Sequence, residues 1–173
     1  MSKILTRGVE MLSDIKPHEI KPTLLSFLMI FTLMASYFVL RPVRDSMASD
    51  WSDSEVSMLW NLQFFISAGI VSLYGWMVSK VRFNRVVPLV YSIFAASFVG
   101  FYFATPLFTE PTLIEKSFYV WVSAFSLFHL SVFWSLMSTT FSKDQGKRLF
   151  AIIAAGGCAG AIVGPIIHTF FAQ

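Results

Sequence analysis

The chain has 173 residues, of which 55% are apolar, 17% aromatic and only 13% charged, and its mean hydropathy is +0.67. A water-soluble domain carries about twice that share of charge, so the composition excludes one and specifies an integral membrane protein whose first partner is the lipid bilayer. A pI near 9.1 does not signal nucleic acid, because the basic residues sit in short tracts between apolar segments, where they report topology, rather than in a stripe that follows phosphates.

Residues 1–22 contain four basic and three acidic side chains, too mixed for a signal peptide. They are expected to form a cytoplasmic segment with a short interfacial helix, Leu5, Val9 and Leu12 on its apolar face and Pro17 at its end. The remainder, 23–173, reads as one transmembrane bundle with no repeat and no linker. Five apolar segments fall at about 23–44, 56–79, 86–105, 117–140 and 149–171, each near the ~20 residues that a helix needs to cross a ~30 Å core. The fold class that follows is all-α, a polytopic membrane helix bundle of five transmembrane helices.

The first span closes on "YFVLRPVRDSM" (37–47), which sets Tyr37, Arg41, Arg44 and Asp45 near one helical face. Two arginines on one face repel unless an anion lies between them. Arg41 is expected to pair with Asp45 at i, i+4, leaving the planar fork of Arg44 for a phosphate or carboxylate. The plainer alternative is that both arginines reach to the headgroups as an interfacial anchor. Ser52, three positions before Glu55, reads as a capping box that opens the second span.

Small residues recur along the later spans: Asn61, Ala68, Ser72, Gly75 and Ser79 in the second, Ser92, Ala96 and Gly100 in the third, Ser131, Ser135 and Ser138 in the fourth. Such stripes are expected to pack helix on helix. Asn61 is a further candidate for substrate contact, as is Gln63 more weakly. His129, mid-way along the fourth span, is another candidate, since an ionisable group at that depth is expensive; a neutral imidazole bonded to a serine of a neighbouring helix is the plainer account. The fifth span carries Gly156, Gly160 and Gly164 at every fourth position, then Pro165, and these four are expected to pack against another helix. One side of that helix is bare backbone, so a close-packed neighbour must offset the poor helix propensity of glycine.

There is no intramembrane carboxylate pair, no metal-ligand spacing and no nucleophile beside a base. The single cysteine, Cys158, offers no disulfide. Neither an enzyme nor a cofactor or metal is expected. Of the 13 Lys and Arg residues, ten fall on one side of the alternating spans and three on the other. The excess predicts a cytoplasmic N-terminus and, with five spans, an outer C-terminus.

Several stretches resemble a known family. "GAIVGP" (160–165) is similar to the fifth-helix antiporter motif of the major facilitator superfamily, although His168 and Thr169 stand where that motif ends in glycines. "GWMVSKVRFNR" (75–85) resembles that superfamily's loop between helices two and three, with Gly75, Lys80 and Arg85 matching and Ser79 in place of the acidic residue. "IKPHE" (15–19), "YFVLRPVRDSM" and "SVFWSLMSTTFSKDQGKRLFAIIAAGG" (131–157) are similar to the nucleotide-transporter branch, the ATP/ADP-translocase-like carriers and their bacterial relatives. The resemblance implies the first five helices of a secondary transporter in a bacterial inner membrane. It further implies an anionic substrate, such as a nucleotide- or phosphate-bearing one, with Arg44 contacting it where exchangers tend to carry Lys. The missing C-terminal helices would come from the same or a split polypeptide. The alternative is a small membrane scaffold that transports nothing.

Overall fold

The computed structural model describes residues 15–80, 83–107 and 111–171. The interfacial helix expected around Leu5, Val9 and Leu12 lies outside these residues. The described residues are helical, without strands: α1 (Ile20–Ala48), α2 (Asp53–Lys80), α3 (Phe83–Ala104), α4 (Pro111–Thr140) and α5 (Lys143–Phe171), with 3-10 turns at Pro17–Glu19 and Thr105–Leu107. Five helices are long and apolar enough to cross a membrane, and the protein is an integral membrane protein of all-α class.

The helices outrun the apolar segments because polar residues cap them. Ser52 and Glu55 form the expected reciprocal cap of α2: the Glu55 carboxylate accepts the Ser52 backbone N–H at 3.1 Å, and the Ser52 hydroxyl accepts the Glu55 N–H at 3.4 Å. Ser142 and Gln145 repeat this at α5, at 3.0 and 3.3 Å, which starts that helix six residues before the apolar run.

The chain divides into two compact units, one of Met1–Val39 with Met137–Gln173 and one of Leu40–Leu136. In the first, α1 and α5 run parallel at a fixed offset. A sequence separation of 129 relates Glu19 to Arg148, Phe27 to Gly156, Phe31 to Gly160 and Ala35 to Gly164, a register held over about 24 Å of helix at ~1.5 Å per residue. A Cβ on Gly156 would lie 2.6 Å from the Phe27 carbonyl oxygen, and one on Gly164 would lie 2.7 Å from that of Ala35. At Gly160 the Phe31 carbonyl oxygen occupies the same space. The expected close approach is therefore present, and α1 is the neighbour. Pro165 is exposed and lies off this face, one residue round the helix from Gly164, so its expected part in packing is corrected.

The start of this pair is held by charge. Glu19, only 2% exposed, accepts from both terminal nitrogens of Arg148 at 3.0 and 3.2 Å. It also accepts from Gln145 Nε2 at 3.0 Å and from the Lys16 backbone N–H at 3.1 Å. Gln145 thus caps α5 with its oxygen and grips Glu19 with its nitrogen.

In the second unit α4 is the hub: 56% of its apolar window is buried, against 6% for α2. Aromatic rings join it to α3. Phe94 lies 5.2, 5.0 and 6.4 Å from the rings of Trp121, Phe125 and Phe128, tilted ring pairs within the usual contact range of aromatic side chains. Trp121 Nε1–H donates to Ser97 Oγ at 2.6 Å. The small-residue stripes of α2 and α3 behave differently from that of α5. Ala68, Ser72, Gly75, Ser92, Ala96 and Gly100 are exposed, and a Cβ on Gly69, Gly75 or Gly100 would meet nothing within 4 Å. It is the ring-bearing face of α3 that meets α4. Three α2 hydroxyls bond to their own helix instead, Ser57, Ser72 and Ser79 each donating to a carbonyl three or four residues back at 2.7–2.8 Å.

Two substitutions test these contacts by unfolding in detergent. Gly160→Ala is expected to destabilise by about 1–3 kcal/mol, the scale of overpacking, whereas Gly69→Ala should be neutral or gain up to about 1 kcal/mol of helix propensity; equal losses at both positions would remove close packing as the cause. At the charged end, Arg148→Ala should lower the midpoint more than the double variant Glu19→Ala with Arg148→Ala, because the single change strands a buried carboxylate. A double variant that is simply the sum of the two singles would mean the pair is not coupled.

Candidate functional site: a cationic and aromatic cluster against α4

Helical spacing sets Lys116, Tyr119 and Ser123 on one face of α4, at successive offsets of three and four. The last turns of α1 bring Arg41, Arg44 and Asp45, and the first turns of α2 bring Glu55 and Trp60. All belong to the Leu40–Leu136 unit.

Arg44 is at the centre, its side chain 15% exposed. Its Nε and Nη2 donate to Asp45 Oδ1 at 2.9 and 2.6 Å, and its Nη1 donates to Ser123 Oγ at 3.2 Å. The guanidinium carbon stands 5.4 Å over the Tyr119 ring, within the range of a cation–π contact. Ser123 is itself fixed by donating to the Tyr119 carbonyl at 2.8 Å. The Tyr119 phenol accepts from Trp60 Nε1–H at 3.0 Å, and Trp51 meets its ring edge-on at 5.5 Å. Beside them Lys116 Nζ donates to Glu55 Oε1 at 2.7 Å.

Arg41 does approach Asp45 as expected, with Nε 3.5 Å from Oδ2. The expectation that Arg44 would be left over is corrected, since Asp45 takes Arg44 more tightly than Arg41. Ser123 and Tyr119 draw the Arg44 guanidinium against α4, and in that position its fork meets the nearer oxygen of Asp45. Two guanidiniums therefore converge on one carboxylate. An arrangement of this kind can accept a phosphate or carboxylate at Arg44 if Asp45 yields its place.

The remaining candidates make other contacts. Tyr37 belongs to the other unit, where its ring meets that of Phe38 at 5.3 Å. Asn61 is exposed and donates to its own helix, Nδ2 to the Ser57 carbonyl at 2.9 Å. His129 is buried, with Nδ1 2.9 Å from the Phe125 carbonyl oxygen and its ring stacked on that of Phe125 at 4.9 Å. Tyr91 of α3 reaches it too, donating to the His129 carbonyl at 2.8 Å. This ties the residue into the α3–α4 packing. Lys80 ends α2 and Arg85 lies in the first turn of α3, both exposed like Gly75, and the Val81–Arg82 link between them is outside the described residues.

Sequence reasoning missed Tyr119, Ser123, Trp60 and the Lys116–Glu55 pair. Arg44 and Ser123 are 79 positions apart, and no local pattern links them. It also passed over Glu19, Gln145 and Arg148 as partners, although both "IKPHE" and "KDQGKR" lay in stretches that stood out. The chain matches no protein-family model, no curated protein and no solved structure, so its resemblance to nucleotide carriers rests on the motifs alone.

Proposed function

We propose that the chain is the N-terminal, five-helix part of a secondary transporter of the major-facilitator kind, close to the nucleotide-carrier branch. It moves an anionic small molecule, phosphate- or nucleotide-bearing, by alternating access. The observation that supports this most is the convergence of Arg44 and Arg41 on the single carboxylate of Asp45, with Ser123 and Tyr119 fixing the Arg44 fork.

On this reading Asp45 is a resident counter-ion. In the substrate-free protein it neutralises Arg44. An arriving phosphate or carboxylate takes the fork by charge-assisted hydrogen bonds, and Asp45 swings to Arg41, which already lies 3.5 Å from its other oxygen. Release reverses the exchange, so no buried charge is left bare in either state. Carriers of this type close the site between two halves that rock against each other, and the other helices come from the same or a split polypeptide. The rival reading, a small membrane scaffold that carries nothing, draws on the lightly covered surface of α2.

The ten-to-three distribution of Lys and Arg supports a bacterial inner-membrane protein with its N-terminus in the cytoplasm. In a Cys158→Ser background, a cysteine at Asp53 should be labelled in intact cells by an impermeant thiol reagent, and one at Lys80 or Lys143 should be shielded. The opposite pattern would reverse the orientation.

For transport, Arg44→Ala in the complete carrier is expected to abolish uptake of the anionic substrate with insertion intact. Arg44→Lys should keep part of it, having the charge without the fork. Asp45→Asn should lower the apparent KM, since the substrate no longer competes with a carboxylate. Normal uptake by Arg44→Ala would remove Arg44 from the substrate site, and no uptake by the unsubstituted protein would leave the scaffold reading in its place.

A further inference from the structure

A cavity of about 490 Å³ opens among α2, α3 and α4 in the Leu40–Leu136 unit. Neither Arg41, Arg44, Asp45 nor Ser123 lines it, and of the cluster described above it takes in Glu55 and Lys116. Its size falls in the range of small-ligand sites, which are mostly apolar with a few placed polar groups. The walls are apolar, with Leu62 and Ile66 from α2, Phe101 from α3, and Val120 and Trp121 from α4. Charge appears at one end only, as the Glu55–Lys116 pair.

That pair is built rather than incidental. Lys116 Nζ is 2.7 Å from Glu55 Oε1 and 5.8 Å from the centre of the Trp51 ring. The other Glu55 oxygen accepts the Ser52 N–H and hydroxyl at 3.1 and 2.9 Å. An ammonium and a carboxylate are thus held side by side, and both keep some exposure, 27% and 45%, through which a ligand can reach them.

The occupant must match three features. It needs a long apolar part: from Glu55 to Ile66 the slot follows α2 for about 16 Å at ~1.5 Å per residue, roughly half of a ~30 Å hydrocarbon core. It needs an anionic group for Lys116, and next to it a cationic donor for Glu55. A purely anionic lipid would set its charge against Glu55, and a neutral one would use neither group. We infer that this cavity binds a zwitterionic phospholipid bearing a primary amine, one acyl chain in the slot, its phosphate on Lys116 and its ammonium on Glu55. Both charges stand at the starts of their helices, where a headgroup meets the membrane surface, and the acyl chain fills a gap that would otherwise lack van der Waals partners. The bound lipid would wedge α2 against α4 next to the Trp60–Tyr119 contact.

The test is native mass spectrometry of the complete protein released from mixed micelles containing equal amounts of phosphatidylethanolamine, phosphatidylcholine and phosphatidylglycerol. Phosphatidylethanolamine should be retained about tenfold over the other two, the scale of one charge-assisted contact. Phosphatidylcholine presents the same phosphate but no N–H donor, so it isolates the Glu55 contact. Glu55→Gln should erase the preference, Lys116→Ala should lower retention of all three lipids because each presents a phosphate, and Val120→Trp, which fills the slot, should lower it for all three as well. Glycerophosphoethanolamine, the headgroup without chains, should not compete. Equal retention of the three lipids by the unsubstituted protein would overturn the proposal whatever the variants do. A preference for phosphatidylglycerol, or full competition by the soluble headgroup, would overturn it as well.

Discussion

The carbonyl oxygens of Phe27, Phe31 and Ala35 stand where side chains on Gly156, Gly160 and Gly164 would otherwise be. In a bilayer, lipid tails compete with side chains for apolar contact, so helices associate through van der Waals fit and polar contacts rather than by escaping water. Bare backbone on α5 permits that fit at the shortest distance, and the price is paid in helix propensity. Because the glycines recur every fourth residue, the contact is repeated rather than single, and it fixes axial register as well as proximity. The Glu19–Arg148 bond obeys the same separation of 129 residues as the glycine contacts. The charged latch is therefore a continuation of the interface, positioned by it.

Both notable carboxylates are held by arginine, yet they differ in what holding them requires. Glu19 is gripped from α5 by Arg148 and Gln145, more than a hundred residues away in sequence, and it has almost no contact with solvent. Withdrawing Arg148 would leave a buried charge with little to replace it. Asp45 is gripped by its immediate neighbour and by a residue one turn back, and it is half-exposed. Its hydrogen bonds can be exchanged for others without disturbing the helices. The first arrangement suits permanent structure, and the second suits exchange.

The sequence carried the five spans and the glycine face because both depend on local pattern, an apolar run of membrane length and a four-residue repeat. It underestimated the helices where polar caps extend them, as Ser142 and Gln145 do for α5. The same small-residue spacing in α2 and α3 pointed to packing that the described residues do not make. Spacing alone does not say what a face meets: α3 has a second face rich in rings, and that one turned to α4. The pairing at Arg44 was misjudged for a related reason. The i, i+4 rule ranks Arg41 above Arg44 as a partner for Asp45, but a long side chain follows its tertiary contacts, and Ser123 and Tyr119 lie on a helix that no local rule brings near.

The polar economy of the Leu40–Leu136 unit extends that point. Several of its hydroxyls bond to their own helix, as Ser72, Ser123 and Ser126 do, and need no neighbour. Among the described residues, bonds between its helices include two groups. Trp121–Ser97 and Tyr91–His129 join α3 to α4 along the packed aromatic face. Arg44–Ser123, Trp60–Tyr119 and Lys116–Glu55 gather where α1 ends and where α2 and α4 begin. The first group lies among rings that fill their own space. The second pairs charge with partly exposed aromatic surface and leaves its ionic members accessible. Interhelical polar contacts in lipid are worth only about 0.6–2 kcal/mol each, so stability alone gives little reason to gather cations at one end. The exchangeable contact with an anion proposed above gives a better one, and Arg44, which bonds Ser123 and Asp45 and stands over the Tyr119 ring, is where the two demands meet.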